Sequence, residues 1–165
     1  MKDSGLEDRL QLAVDRWVDK GFFSAVCVLV EKREQELAAV VSDPAVSLNS
    51  LLDLASLTKL FTATLALRLH SEGLFPLDRP LGELTECDPS LAALKPEDLL
   101  RHRSGLAAWL PLSICVPPGV DVLDWLLGTE VAGARKETYS DLGYILWGRL
   151  AERLLDDSLE SLLRR

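Results

Sequence analysis

An α+β fold is predicted: a helix and a strand pair first, then a long helical region. Two observations carry this. Two apolar runs of strand length, Phe22 to Val30 and Leu37 to Val41, lie close together near the N-terminus. From residue 55 onward apolar residues recur at helical spacing, with Pro and Gly punctuating the intervals. With 165 residues and 48% apolar content, one domain with a real core is expected over residues 1–165. Residues 1–54 would supply the N-terminal helix and strands, and residues 55–157 the helical region.

Taken in order, residues 5–20 read as an amphipathic helix with Leu6, Leu10, Ala13, Val14, Trp17 and Val18 on one face. Ser4 and Glu7 have capping-box spacing, and Gly21 is a natural stop. The two strands follow, joined across the polar stretch Glu31 to Glu36, and Ser42-Asp43-Pro44 breaks their pairing. A helix is expected from Ser56 to about Ser71. Leu57, Phe61, Leu65 and Leu69 form one stripe, and Leu60, Ala63 and Leu67 widen it, which predicts a central, buried helix. Gly73 and Pro76 end it. Residues 74–94 and 107–120 read as loops. Short helices are expected from Pro96 to Arg101 and from Val122 to Leu127, the second started by Asp121. A final helix runs from Leu142 to about Leu155, with Ser140 or Asp141 as its N-cap.

Composition narrows the function classes. Twenty-six Asp+Glu against 18 Lys+Arg argue against a nucleic-acid or anionic-membrane surface. No apolar run approaches membrane-spanning length, and Met1 to Leu10 is charged, unlike a signal peptide, so a cytoplasmic location is expected. Cys27, Cys87 and Cys115 are odd in number and form no C-x-x-C pair, so neither a disulfide framework nor a zinc site is indicated.

The stretch that suggests chemistry is Leu54-Ala55-Ser56-Leu57-Thr58-Lys59-Leu60-Phe61. One helical turn stacks i and i+3, so the Lys59 amine can reach the Ser56 hydroxyl near the positive end of a helix dipole. An alcohol, a base within reach and a field favouring negative charge are the parts of an activated nucleophile. The alternative is an N-cap serine with a solvated lysine one turn on. With 13 serines and 6 lysines, chance alone gives about 0.5 matches to this spacing, so the motif needs support from elsewhere. Burial near the core would lower the Lys59 pKa, as a lysine base requires. His102 is either a base or a histidine satisfying backbone carbonyls at a helix end. Tyr139 is expected on a loop just before the final helix, where functional side chains concentrate, or is simply a surface tyrosine.

Three separated segments together resemble the penicillin-recognising serine hydrolases, in the branch of class C β-lactamases, DD-peptidases and related esterases. Ala55-Ser56-Leu57-Thr58-Lys59-Leu60-Phe61-Thr62-Ala63 resembles their S-x-x-K nucleophile helix. Leu99-Leu100-Arg101-His102-Arg103-Ser104-Gly105-Leu106 resembles their leucine-leucine … histidine-x-serine-glycine-leucine segment, and Tyr139-Ser140-Asp141-Leu142-Gly143-Tyr144 their tyrosine-x-asparagine motif. The linking stretch Glu72 to Asp78 is similar too. The resemblance spans roughly residues 22–157, in the expected order, and a joint match is more specific than any one motif.

The resemblance implies a β-lactamase/transpeptidase-like fold with a helical subdomain and part of an antiparallel sheet. It implies Ser56 as the acylated nucleophile, with Lys59 taking its proton directly or with Tyr139, and Tyr139 passing that proton to the leaving group and later activating water. Asp141 stands where many relatives have asparagine. There it would hydrogen-bond Lys59 and help orient substrate, while holding the lysine more fully charged. That change tilts the expectation toward an ester rather than an amide. His102 would be structural. No cofactor or metal is implied; the substrate would be a small-molecule ester or amide. Relatives are much longer, and nothing after Tyr139 matches their strand bearing lysine-threonine-glycine or histidine-x-glycine, which supplies an oxyanion donor. The chain therefore reads as the N-terminal part of such a hydrolase, with weak or no activity. The alternative is a non-catalytic relative, pairing with a second chain or with itself through uncovered apolar surface.

Overall fold

The computed structural model describes residues 4–33, 35–43, 46–131 and 137–165. They form two compact units, Met1–Asp53 and Leu54–Arg165. Pro44 of the predicted strand break lies outside the described residues.

In the first unit, helix α1 (Ser4–Asp19) packs on a two-stranded antiparallel sheet of β1 (Cys27–Lys32) and β2 (Gln35–Val41). Cys27 pairs with Val41, Leu29 with Ala39 and Val30 with Ala38, and a bulge falls between Val30 and Glu31. Val14 of α1 and Ala38 and Val40 of β2 are buried. Ser4 lies inside the first turn of α1, and Glu7 accepts from the Ala39 backbone N–H at 3.4 Å, tying the helix to β2. Gln11, one turn on, donates to the Val41 carbonyl at 3.3 Å. β1 begins five residues after the predicted Phe22, because Phe22 and Phe23 stay exposed and Phe23 meets Trp17 edge-on at 6.5 Å. The polar stretch expected as a turn is largely strand, since the pairing continues to Lys32 and Gln35.

The second unit is helical. A 3-10 turn (Ala55–Leu57) leads into α2 (Thr58–Ser71). Then come α3 (Leu81–Leu84), α4 (Pro89–Ala92), α5 (Pro96–Leu100), α6 (Leu112–Cys115), α7 (Val122–Leu127), α8 (Asp141–Leu155) and α9 (Leu159–Arg164). Three short helices, α3, α4 and α6, interrupt stretches expected as loops. Asp88 caps α4 by accepting from the Ser90 N–H at 2.8 Å, and Asp121 caps α7 as predicted, accepting from Leu123 at 2.9 Å. α9 lies beyond the last predicted helix; it is short, and its capping serine, Ser158, accepts from Ser161.

The buried centre of this unit is α8, not α2. Leu142, Leu146, Trp147, Leu150 and Ala151 of α8 are all buried, and Trp147 meets Phe75 edge-on at 5.7 Å. α2 buries Leu65, Ala66 and Leu69, but its Leu60, Phe61 and Leu67, with Leu57 of the preceding turn, stay at 54–66% exposure. A helix apolar on several faces must be covered on several sides, and the contacts of α2 with α8 and α9 leave these four residues open.

α8 reaches its place because Gly143 lets its first turn touch the end of α5. A Cβ at Gly143 would stand 2.7 Å from the Leu99 carbonyl oxygen, a backbone atom that cannot swing aside. Gly143→Ala is therefore expected to destabilise the chain by about 1–3 kcal/mol despite alanine's better helix propensity. Thermal unfolding reads this as a drop of about 2–4 °C per kcal/mol; an unchanged or raised midpoint would contradict the close approach.

Candidate active site

The site begins at the junction of the 3-10 turn and α2. Ala55 is held at φ +44°, in the left-handed region where a non-glycine residue is strained, immediately before Ser56. Ser56 lies within the 3-10 turn, exposed, and Lys59 one turn on donates to its Oγ at 3.2 Å. The lysine leans away from solvent, with 17% of its side chain exposed. Its Nζ forms an ion pair with Asp141 at 2.5 Å. It also stands 5.0 Å from the Tyr139 ring centre and 5.6 Å from that of Tyr144.

Tyr139 and Asp141 come from the loop and first turn of α8. Ser140, buried, caps that helix: its Oγ accepts from Gly143 at 3.4 Å and donates to the Ala107 carbonyl at 2.6 Å. The Asp141 N–H donates to the Ala108 carbonyl at 2.8 Å, and Thr138 N–H to the His102 carbonyl at 3.0 Å. The segment Thr138 to Asp141 is thus laced to the loop after α5. Its tie to α2 is the Lys59–Asp141 pair, 82 residues apart in sequence.

These contacts set the electrostatics. Burial pulls the Lys59 pKa down, but hydrogen bonds to Asp141 and Tyr139 and their negative charge outweigh it, so the net shift is upward. This reverses the sequence expectation of a lowered lysine, and the carboxylate at position 141 is the reason. Tyr139 moves the opposite way. A hydrogen bond with Ser56 lowers its pKa most, then one with Lys59, against a smaller desolvation effect. Burial raises Tyr144, whose hydroxyl donates to the Leu100 carbonyl at 3.0 Å.

Asp141→Asn is expected to bring the Lys59 pKa down, because burial then opposes only the contacts with Tyr139. Side-chain nitrogen NMR of the lysines, with Lys59→Arg to assign the signal, measures it. A Lys59 titration unmoved by the substitution would mean the ion pair does not form in solution.

An open cavity of about 560 Å³ runs past this cluster. Ser56 lines it from the 3-10 turn, Lys59 and Thr62 from α2, Asp141, Tyr144, Ile145 and Arg149 from α8, and Leu159 from α9. Sequence reasoning missed Tyr144, Thr62 and Ile145. Helical spacing would have found them, since Thr62 is one turn beyond Lys59, and Tyr144 and Ile145 are one turn beyond Asp141. Among the described residues no group of three His, Cys, Asp or Glu side chains is placed to hold a metal ion.

The family model described as Beta-lactamase matches residues 11–165. The chain belongs to the beta-lactamase family. The putative beta-lactamase from Bacteroides dorei DSM 17855 superposes with a TM-score of 0.73 at 20% identity, over 94% of this chain and 48% of that one. The class C beta lactamase from Rhodobacter sphaeroides gives 0.67 at 20% identity, over 93% and 46%. The D-amino acid amidase from Ochrobactrum anthropi SV3 gives 0.68 at 24% identity, over 93% and 50%. This chain therefore spans about half the length of these structures and has the beta-lactamase-like fold over that half. No curated protein matches it in sequence. Among the described residues no helix is long and apolar enough to cross a membrane.

Proposed function

We propose that this beta-lactamase family chain carries a serine acyl-transfer centre acting on a small-molecule ester, with an amide as the harder substrate. The observation behind it is one cluster: Lys59 Nζ lies 3.2 Å from Ser56 Oγ, 2.5 Å from Asp141 and 5.0 Å from the Tyr139 ring centre, and Ser56 and Lys59 together hold the Tyr139 pKa below its ordinary value. The electrostatics favour Tyr139 over Lys59 as proton acceptor. A lysine held charged is a poor base but a good partner for a phenolate. Ser56 Oγ forms the bond to the acyl carbon as its proton passes to the Tyr139 oxygen. The C–O bond of the ester then breaks, and Tyr139 returns that proton to the departing alkoxide. In deacylation the Tyr139 phenolate takes a proton from water as that water attacks the acyl carbon, and passes it to Ser56 Oγ as the acyl–oxygen bond breaks and the acid leaves. Asp141 orients Lys59 and faces the cavity where substrate would lie.

A fluorophosphonate probe tests this, because it phosphonylates an activated serine without needing deacylation. Peptide mapping is expected to place the adduct on Ser56. An adduct on another residue, or none on the folded chain, would sink the proposal.

A second reading is favoured by the apolar face of α2 and the turn before it, where Leu57, Leu60, Phe61 and Leu67 stay exposed. In that reading the chain is non-catalytic and pairs through this face with a second chain or a second copy. Light scattering after size exclusion separates the two: a clean monomer that accepts the probe at Ser56 supports the enzyme, and an unreactive oligomer the alternative.

A further inference from the structure

We infer that His102 is the positioning residue for Tyr139, gripping it from three directions with backbone, ring nitrogen and ring face. The residues on either side of Tyr139 both bond to this one histidine. Thr138 N–H donates to the His102 carbonyl at 3.0 Å, and Ser140 N–H donates to His102 Nδ1 at 3.0 Å. Between them, the Tyr139 ring lies against the imidazole with centres 4.3 Å apart and planes tilted by 34°. The imidazole also lies 5.4 Å from the Tyr144 ring. Tyr139 itself is 55% exposed, so burial does little to fix where its hydroxyl points. The inference rests on the reading of Tyr139 as the proton carrier of the proposed site.

The backbone gives an independent reason to think the imidazole matters here. α5 closes in a Schellman arrangement: Arg103 N–H bonds the Asp98 carbonyl at 2.8 Å, and His102 N–H the Leu99 carbonyl at 3.2 Å. His102 is the residue in the left-handed region of that cap, at φ +59°. Glycine is the usual occupant, and a side chain there is strained. The strain goes with a ring that stacks on Tyr139 and accepts from Ser140. Accepting at Nδ1 also fixes the neutral ring's proton on Nε2.

Two features make the test clean. The chain has only two tyrosines, so ring-carbon labelling gives two phenol signals, assigned by Tyr139→Phe. And His102→Gly relieves the strained cap, which offsets part of the cost of leaving the Ser140 N–H without its acceptor, so the variant is expected to fold. In the parent chain, Tyr139 is expected to titrate below Tyr144, because its contacts with Ser56 and Lys59 favour the phenolate.

His102→Gly should move the Tyr139 titration up to the ordinary value of about 10, with Tyr144 unchanged. His102→Asn, which tolerates the left-handed backbone and offers Oδ1 in place of Nδ1, should restore part of the downward shift. A folded His102→Gly chain whose Tyr139 still titrates low overturns the inference, and so does an asparagine variant no different from glycine. In the unsubstituted chain, nitrogen NMR of the two histidines must find Nδ1 of His102 unprotonated in the neutral ring; a proton there overturns it as well. None of these readouts uses substrate. An unreactive Ser56 with the Tyr139 shifts as expected would count against the proposed enzyme alone, and a reactive Ser56 with Tyr139 indifferent to His102 against this inference alone.

Discussion

Ser56→Ala is expected to abolish phosphonylation while leaving the chain folded. Ser56 is exposed, and the 3-10 turn around it is closed by backbone bonding of Leu57 to Leu54 at 2.9 Å, not by the serine side chain. The change in stability should stay within about 0.5 kcal/mol, as for other exposed positions without a capping role. Ser56 Oγ is the one to which Lys59 Nζ donates among the described hydroxyls that line the cavity. Thr58 and Thr62 line it, but Thr62 donates to the Thr58 carbonyl at 3.3 Å, within the helix, rather than meeting Lys59. Intact-mass spectrometry after probe treatment reads the outcome directly. Labelling that persists at the parent rate on a folded Ser56→Ala chain would move the nucleophile elsewhere and dissolve the proposed site.

The second large effect is expected from Tyr139→Phe. The phenylalanine keeps the ring that stacks on His102 and lies near Lys59, and removes only the hydroxyl whose pKa Ser56 and Lys59 lower. The probe's reaction with Ser56 should slow by about 10²- to 10⁴-fold, the range for losing a positioned proton acceptor. The pH profile separates this from a packing defect. In the parent, the rate should climb with pH as Tyr139 ionises, with a midpoint below the ordinary tyrosine value of about 10, since Ser56 and Lys59 lower that pKa. In Tyr139→Phe the climb should flatten, leaving only what Lys59 contributes at higher pH, because its own shift is upward. A variant within tenfold of the parent, with the alkaline climb intact, would hand the proton to Lys59 instead.

Much of the fold was legible because its signals are local. The stop at Gly21, the Asp121 and Ser140 caps, and the turn-by-turn apolar stripe of α8 each depend on a few adjacent residues, and each lies where the pattern put it. The stripes of α2 misled for the same reason. Periodicity counts apolar faces but does not say which of them meets another element, and α8, with fewer apolar faces, is the helix that is enclosed. The short helices α3, α4 and α6 were illegible because four residues give no period to read.

By itself, then, the amino-acid order determined the α+β class, the family and the Ser56–Lys59 spacing, since each is written in short stretches that can be read one by one along the chain. Only the tertiary structure decided what Lys59 faces. The ion pair with Asp141, the two tyrosine rings beside the amine, and the histidine gripping both flanks of Tyr139 join residues up to 82 positions apart. The sign of a pKa shift depends on which of burial and opposite charge is stronger at that spot. Sequence supplies the groups, but only the distances between them settle the contest.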